Sequence, residues 1–358
     1  MQQKANIVIM AGGTGGHVFP ALALADALSA VGHKITWLGT HAGIESRVVR
    51  EAGYDIDYIP ISGLRGKGAL AWLALPFRLG KAIIAARKII KRRQAGLVIG
   101  MGGFATGPGG IASKLLNIPL VLHEQNAIPG MTNRYLAKIA KKILCAFPAT
   151  FPDKYQPLVT GNPVRQSIVD LWLQPYNLPP DRPLRLLVLG GSLGAKVLNE
   201  IVPAAIAAIP PAERPEVMHQ AGEKTVALAK NEYARQQVSA QVETFIKDMA
   251  QAYAWADIVV CRAGALTVSE LALAKRPAIL VPYLHAVDDH QHRNAQYLTQ
   301  AGAAVCILQN ELNAEKLATT LRSWHTHREH LVAMSQKTGM LAKPQATQAA
   351  LQECLSLL

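Results

Sequence analysis

Cysteine is scarce in this chain of 358 residues: Cys145, Cys261, Cys306 and Cys354 stand far apart, and no C-x-x-C pair occurs. That spacing excludes a disulfide framework and a zinc knuckle, and it suits a reducing cytoplasm. Long apolar runs are missing too, since none reaches the roughly 18 residues that a spanning helix requires. The first residues carry neither a cationic segment nor a small-residue cleavage site, so no signal peptide is expected. Carboxylates are the minority charge, 24 against 37 Lys and Arg, which leaves a net charge of +13. Such a chain attracts phosphorylated ligands, anionic lipid or nucleic acid. Without zinc-finger, RRM or interleaved aromatic–basic patterns, no nucleic-acid partner is expected.

Half of the residues are apolar, enough to build two cores of ordinary size. Strand-like runs fall at 7–11, 34–38, 56–61, 97–100, 118–122 and 143–146. Helical patterns lie between them near 19–31, 44–52, 69–93, 109–116 and 131–142. The scheme then repeats, with strands near 184–189, 215–219, 242–246, 257–260, 278–282 and 303–308. Such alternation implies an α/β protein with parallel sheets covered on both faces. A proline-rich stretch (Pro163, Pro179, Pro180, Pro183) separates the halves. The expected domains are 1–163 and 164–340, with a C-terminal helix over 341–358 returning to the first.

Each half opens on an apolar run followed by glycines: Ile7-Val-Ile-Met-Ala-Gly-Gly-Thr-Gly-Gly16 and Leu186-Leu-Val-Leu-Gly-Gly-Ser-Leu-Gly194. Glycine lets backbone N–H groups approach an anion, and a following helix N-terminus adds partial positive charge. A nicotinamide site would need G-x-G-x-x-G and a carboxylate after the second strand. The first turn misses that spacing, and the second strand ends at Leu38-Gly39-Thr40 without a carboxylate. Gly100-x-Gly102-x-x-Ala105 fits the relaxed pattern, but Pro108 and further glycines stand where a helix would begin. A third turn, Cys261-Arg-Ala-Gly264, leads into a predicted helix start at Ala265–Thr267. Those amides can hold a pyrophosphate while Glu270 meets a ribose diol or complements the helix dipole. Asp55-x-Asp57 has the form of a metal-binding pair, but on an alternating strand it reads as two solvated carboxylates. His285, His290 and His292 do not share a metal-binding face, so no metal and no cofactor are expected.

The ordered motifs Gly12-Gly-Thr-Gly-Gly-His17, His123-Glu-Gln-Asn126, Gly161-Asn-Pro-Val-Arg165, Gly190-Gly-Ser192, Gly264-Ala-Leu-Thr-Val-Ser-Glu270 and the Gln291/Asn294 region closely resemble the bacterial MurG family. The resemblance implies a GT-B architecture, two Rossmann-like domains facing a central cleft. It implies transfer of GlcNAc from UDP-GlcNAc to the MurNAc 4-hydroxyl of undecaprenyl-pyrophosphoryl-MurNAc-pentapeptide (lipid I), making lipid II for peptidoglycan. By resemblance Ile246 meets uracil through its backbone and Glu270 the ribose. Ser192 with the Ala265, Leu266 and Thr267 amides meets the diphosphate, in a stretch completed by Val268 and Ser269. Arg165, Asn126 and Gln291 complete the donor site, and Thr14, Gly15 and Gly16 map to the family's donor-contacting loop, which is expected to face chiefly the acceptor pyrophosphate. Leu193, His290, Phe104 and Ala263 depart from residues common in the family.

Activating a sugar hydroxyl at neutral pH calls for a base such as imidazole. His17 is the first candidate, Glu124 the second and water the third; the other role open to His17 is binding the acceptor phosphates. Apolar residues at 69–79 (Leu70, Trp72, Leu73, Leu75, Phe77), followed by Lys81, Lys88 and Arg92, suggest peripheral attachment to an anionic membrane surface, which the resemblance implies is the cytoplasmic face of the inner membrane. A UDP-GlcNAc 2-epimerase of the same architecture and a non-catalytic nucleotide-sugar subunit are the alternatives.

Overall fold

The computed structural model describes residues 4–61, 75–191, 194–284 and 289–358. The chain divides into two compact units, Met1–Arg165 with Gln345–Leu358, and Gln166–Pro344. In the first, seven parallel strands lie in the order β3-β2-β1-β4-β5-β6-β7. They are β1 Asn6–Met10, β2 Lys34–Gly39, β3 Asp55–Tyr58, β4 Ala95–Gly100, β5 Leu120–Glu124, β6 Lys142–Cys145 and β7 Leu158–Val159. In the second, six parallel strands run β10-β9-β8-β11-β12-β13. They are β8 Arg185–Leu189, β9 Glu216–Gln220, β10 Gln241–Glu243, β11 Ile258–Cys261, β12 Ala278–Leu280 and β13 Ala304–Cys306.

In each sheet the chain winds outward from its first strand and then restarts on the other side. The reversal points lie between β1 and β4, where Val8 pairs Val98, and between β8 and β11, where Leu187 pairs Val259. At such a point the two following connections part to opposite faces, leaving a crevice beyond the strand C-termini where ligands bind. Three of the glycine turns read from the sequence, after β1, β8 and β11, occupy those positions. So does the fourth, after β4.

Central strands are apolar on both faces because helices cover both: Ile7, Val8, Ile9, Leu97, Val98 and Ile99 are all fully buried, as parallel sheets demand. The C-terminal helix Ala346–Leu355 belongs to the first unit. It sends Ala350, Leu351 and Cys354 into the core that includes Leu24 and Leu28 of the helix Gly15–Ala30, and Lys142 bonds Glu353 and Ser356. In the second unit the buried Asp257 takes both outer nitrogens of Arg182, at 2.6 and 2.9 Å, and the Arg185 N–H at 2.8 Å. This bidentate clasp sets the entry into β8.

Two expectations are corrected. The helix expected near 109–116 begins earlier, at Thr106, directly after the Gly100–Ala105 turn, and spans Thr106–Leu115. Pro108 is its third residue, where a backbone N–H has no partner within the helix, so the missing donor costs nothing. Asp55 and Asp57 are not merely solvated: Arg93 bonds both, at 3.0 and 2.8 Å, and Arg92 reaches Asp57 at 2.7 Å. Burial opposes the charge on Asp57, but the two guanidiniums outweigh it and hold the carboxyl below its ordinary range. Of the apolar stretch 69–79, residues 69–74 lie outside the described residues; the helix there spans Leu75–Arg92.

Candidate active site

In the first unit Thr14 precedes the helix Gly15–Ala30 in an extended conformation, and its side chain makes no capping bond. The Gly15 and Gly16 amides open that helix, so neither has a carbonyl partner one turn back. The turn before them is held from below by Glu45, a residue that the sequence did not single out. Its fully buried carboxylate accepts from the Gly13 N–H at 3.0 Å, the Thr40 N–H at 3.1 Å and the Thr40 hydroxyl at 2.7 Å. Gly13 has φ +88°, a conformation that glycine adopts without strain. Gly103 follows the same logic at φ +90°, and a Cβ there would lie 2.6 Å from the Gly12 carbonyl oxygen. The loops after β1 and β4 therefore meet backbone to backbone.

His17 is the third residue of that helix, half-buried, with its ring against Gly102, where a Cβ would come within 2.7 Å of Nδ1. Its Nδ1 is 2.8 Å from Gln125 Oε1. Gln125 Nε2 in turn donates to the His123 carbonyl and lies 3.1 Å from His123 Nδ1; His123 Nε2 is 2.9 Å from the Gly161 carbonyl oxygen. Asn162 donates back to the Gln125 carbonyl at 3.2 Å. Two motifs 38 residues apart in sequence are thus one buried polar cluster. Burial pushes the His123 imidazole down to about 4, although the Gly161 carbonyl and the Glu124 charge favour its protonation.

Glu124 ends β5 and is 2% exposed. One carboxylate oxygen accepts from the Asn126 N–H at 3.0 Å and its side-chain amide at 3.2 Å. The other accepts from the Gly130 N–H at 3.0 Å and Asn133 Nδ2 at 2.9 Å. Four donors order the 124–133 loop around this carboxylate and fix Asn126. Arg165 is exposed, with its guanidinium 5.6 Å from the centre of the Phe19 ring.

In the second unit Gly264 precedes the helix Ala265–Ala274, again without a side-chain cap. Ala265, Leu266 and Thr267 form its first turn, and Val268, Ser269 and Glu270 its second. Ser269 turns inward to the Ala265 carbonyl at 3.1 Å. Glu270 is 6% exposed and accepts from the Tyr253 hydroxyl at 3.0 Å, so one buried phenol positions its carboxylate. Burial and that carboxylate push the neighbouring Cys261 thiol up to about 12, leaving it protonated and inert. The Ile246 N–H is held at 2.9 Å by Gln220 Oε1 from the end of β9. Gln291, in the helix His290–Thr299, accepts from the Tyr283 N–H at 2.8 Å. The fully buried Asn294 bonds the Ala263 carbonyl at 3.1 Å. Ser192, Leu193 and His285 lie outside the described residues.

Thr14, Gly15, Gly16, His17, Glu124, Asn126 and Arg165 thus belong to the first unit, and Ile246, Ala265 to Glu270 and Gln291 to the second. Sequence reasoning missed Glu45, Gln125, Gln220 and Tyr253. Each makes a hydrogen bond to a residue distant in sequence, although Glu45 also bonds Thr40 and Gln125 also bonds His123 at short range. Only the adjacency of Gln125 to Glu124 and Asn126 within a quoted motif offered a signal.

The glycosyltransferase family 28 N-terminal domain matches residues 7–145, and its C-terminal domain matches 185–351. A Marinobacter nauticus protein named UDP-N-acetylglucosamine--N-acetylmuramyl-(pentapeptide) pyrophosphoryl-undecaprenol N-acetylglucosamine transferase is 50% identical over 353 residues, covering 98% of this chain and 97% of its own. An Azotobacter vinelandii protein of the same name is 51% identical over 354 residues, covering 99% of both. The crystal structure of Acinetobacter baumannii MurG superposes with a TM-score of 0.82 at 38% identity, covering 98% of this chain and 99% of that one. Both domain matches and half-identity along nearly the whole length agree: the chain belongs to glycosyltransferase family 28 and, within it, to the MurG family.

Proposed function

We propose that this protein transfers GlcNAc from UDP-GlcNAc to the MurNAc 4-hydroxyl of lipid I, giving lipid II and UDP. The observation that carries the reading is the half-identity to transferases of that name along nearly the whole chain. The 4-hydroxyl attacks the anomeric carbon on the face opposite UDP as the carbon–oxygen bond to the diphosphate breaks. The α-linked donor therefore gives a β-1,4 product, and the hydroxyl proton passes to His17. Negative charge grows on the departing diphosphate, where helix N-terminal amides stabilise it. Transfer of labelled GlcNAc to lipid I with release of UDP tests the reaction. Release of ManNAc without acceptor would instead identify a 2-epimerase, and binding without turnover a non-catalytic subunit.

The donor is assigned to the second unit. Its uncapped helix start at Ala265, Leu266 and Thr267 suits a diphosphate, together with the Gly190–Gly191 turn, which Ser192 follows in sequence. Ile246, its N–H already taken by Gln220, would meet uracil through its carbonyl, or through the N–H after Gln220 turns away. Glu270, oriented by Tyr253, would accept from the ribose diol. Glu270→Ala should weaken UDP binding by about 1.5–3 kcal/mol, the worth of charge-assisted bonds; calorimetry showing unchanged affinity would remove Glu270 from the site. The Thr14–Gly16 turn is assigned to the acceptor pyrophosphate, with Glu124 as the organiser of the Asn126 loop.

Among the described residues no helix is long and apolar enough to cross a membrane, and lipid I is membrane-bound. The helix Leu75–Arg92 buries Ala82, Ala86 and Ile90 and turns Phe77 (79% exposed) and Ile84 (58%) outward, with the exposed Lys81 and Lys88 on the same face. Arg92 contributes less than its position suggests, because Asp57 holds it. An apolar face edged by lysines suits an anionic leaflet, which supports peripheral attachment at the cytoplasmic face of the inner membrane. Phe77→Ser combined with Ile84→Ser should release the folded protein from anionic vesicles in a flotation assay. Retained binding would place the contact elsewhere.

A further inference from the structure

We infer that Gln125, held by His123, is a positioning residue that fixes the imidazole of His17 in the tautomer protonated on Nδ1, so that Nε2 presents its lone pair. The inference rests on reading His17 as the base that takes the acceptor proton.

The assignment follows from two backbone carbonyls, because a carbonyl oxygen only accepts. His123 Nε2 faces the Gly161 oxygen at 2.9 Å, so Nε2 carries the proton and the Nδ1 of neutral His123 is an acceptor. The nearer end of the Gln125 amide faces both that Nδ1 and the His123 carbonyl oxygen, each at 3.1 Å. Only the amide nitrogen can stand there. The flipped amide would set its oxygen against two acceptors in a buried place, where an unmade bond costs the most. The amide oxygen therefore faces His17, and at 2.8 Å from Nδ1 it requires a proton on that nitrogen. The chain of donors runs in one direction, His17 Nδ1–H to Gln125, Gln125 Nε2–H to His123, His123 Nε2–H to Gly161.

The direction survives changes in pH because His123 stays neutral. Burial drives its pKa down to about 4, so near pH 7 it cannot become a second donor aimed at Gln125. Gly102 adds a steric wall: with φ +101° and its would-be Cβ 2.7 Å from His17 Nδ1, it leaves room for the ring only when it carries no side chain. Free imidazole side chains favour the opposite tautomer, protonated on Nε2, which has no lone pair at that atom. The same logic orients catalytic and metal-bound histidines elsewhere, where removing the partner of the second nitrogen costs far more than one ordinary hydrogen bond. His123-Glu-Gln-Asn126 and Gly161-Asn-Pro-Val-Arg165 thus acquire a shared purpose, the second supplying the carbonyl from which the whole chain is oriented.

The test is ¹⁵N NMR of histidine-labelled full-length protein above pH 7, with His17 assigned through His17→Ala. In the wild type, His17 should show a protonated Nδ1 and an unprotonated Nε2. A wild-type His17 protonated on Nε2 would overturn the inference without recourse to any variant. In Gln125→Met, similar in length but without an amide, the Nε2-protonated tautomer should appear. There kcat should fall about 10–100-fold, with both KM values within about threefold of wild type. Thermal unfolding of the variant checks that it is folded. An unchanged tautomer in folded Gln125→Met overturns the inference. A changed tautomer with unchanged kcat instead overturns the reading of His17 as the base, which separates the two failures.

Discussion

His17→Ala should lower kcat by about 10²–10⁴-fold, the usual worth of a positioned general base, while UDP-GlcNAc affinity stays within about threefold of wild type. The split follows from where His17 stands. It belongs to the first unit, inside the helix start after β1, whereas the residues assigned to the donor are mostly in the second. Deleting the imidazole removes a proton acceptor but leaves the Gly15 and Gly16 amides and the Glu45 bracket in place. Steady-state kinetics with lipid I varied at saturating donor would check it. Near-normal kcat with a much higher acceptor KM would move His17 to phosphate binding. The base would then be water or Glu124, and Glu124 is poorly suited. Its two oxygens already accept four hydrogen bonds, so protonation would break part of the network that orders residues 124–133.

The fold was legible because its central strands carry a strong local signal. Ile7–Met10 and Leu186–Leu189 are buried on both faces, so they read as short continuous apolar runs ending at glycines. The edges gave less. β7 is only Leu158–Val159, two exposed residues too few to form a pattern, and β10, Gln241–Glu243, overlaps only the first two residues of the run expected at 242–246. The first turn of the helix Thr106–Leu115 was obscured, and its start read at 109, because Pro108 signals a break unless its place in the first turn is known.

The candidate site was legible only where chemistry sits on a turn. The glycines, His17 and Glu270 stand in motifs whose spacing implies a phosphate or ribose. The residues that make those groups usable are set by the fold. Glu45 reaches Gly13 across 32 positions, and Gln125 reaches His17 across 108. Burial of a carboxylate or an amide is not encoded in its neighbours, so Glu45 reads as one more acidic residue at a helix start. The pair Asp55 and Asp57 shows the reverse case. A suggestive local pattern is consumed by Arg92 and Arg93, contributed by the end of the helix Leu75–Arg92 and the residue after it.

Acid should destabilise each unit through one buried histidine, beginning near pH 6.5. His123 in the first unit and His219 in the second are both fully buried. Burial pushes His123 down to about 4 and His219 to about 3. Both are held neutral in the folded protein, whereas in the unfolded chain they titrate near the ordinary value of about 6.5. Between those values the unfolded chain binds more protons, so stability falls as pH falls. It is fully present above about pH 6.5 and lost on descending toward pH 4 and pH 3 respectively. The slope is about 1.4 kcal/mol per pH unit for each histidine, so about 2 kcal/mol is lost per unit of the protein by pH 5. Carboxylates with lowered values, such as Asp57, act in the same direction but at lower pH, so the window from 6.5 to 5 belongs to the histidines. His219→Gln gives the cleaner variant, since His123 also orients Gln125. A glutamine amide oxygen can still accept from the Tyr233 hydroxyl, which lies 3.0 Å from His219 Nδ1. Hydrogen exchange followed in each unit between pH 7.5 and 5 would read both effects separately. The wild type should lose protection in both units; His219→Gln should flatten the loss in the second and leave it intact in the first. Wild-type protection in the second unit that does not weaken across that range, after correction for intrinsic exchange, would mean that His219 is not held neutral by burial.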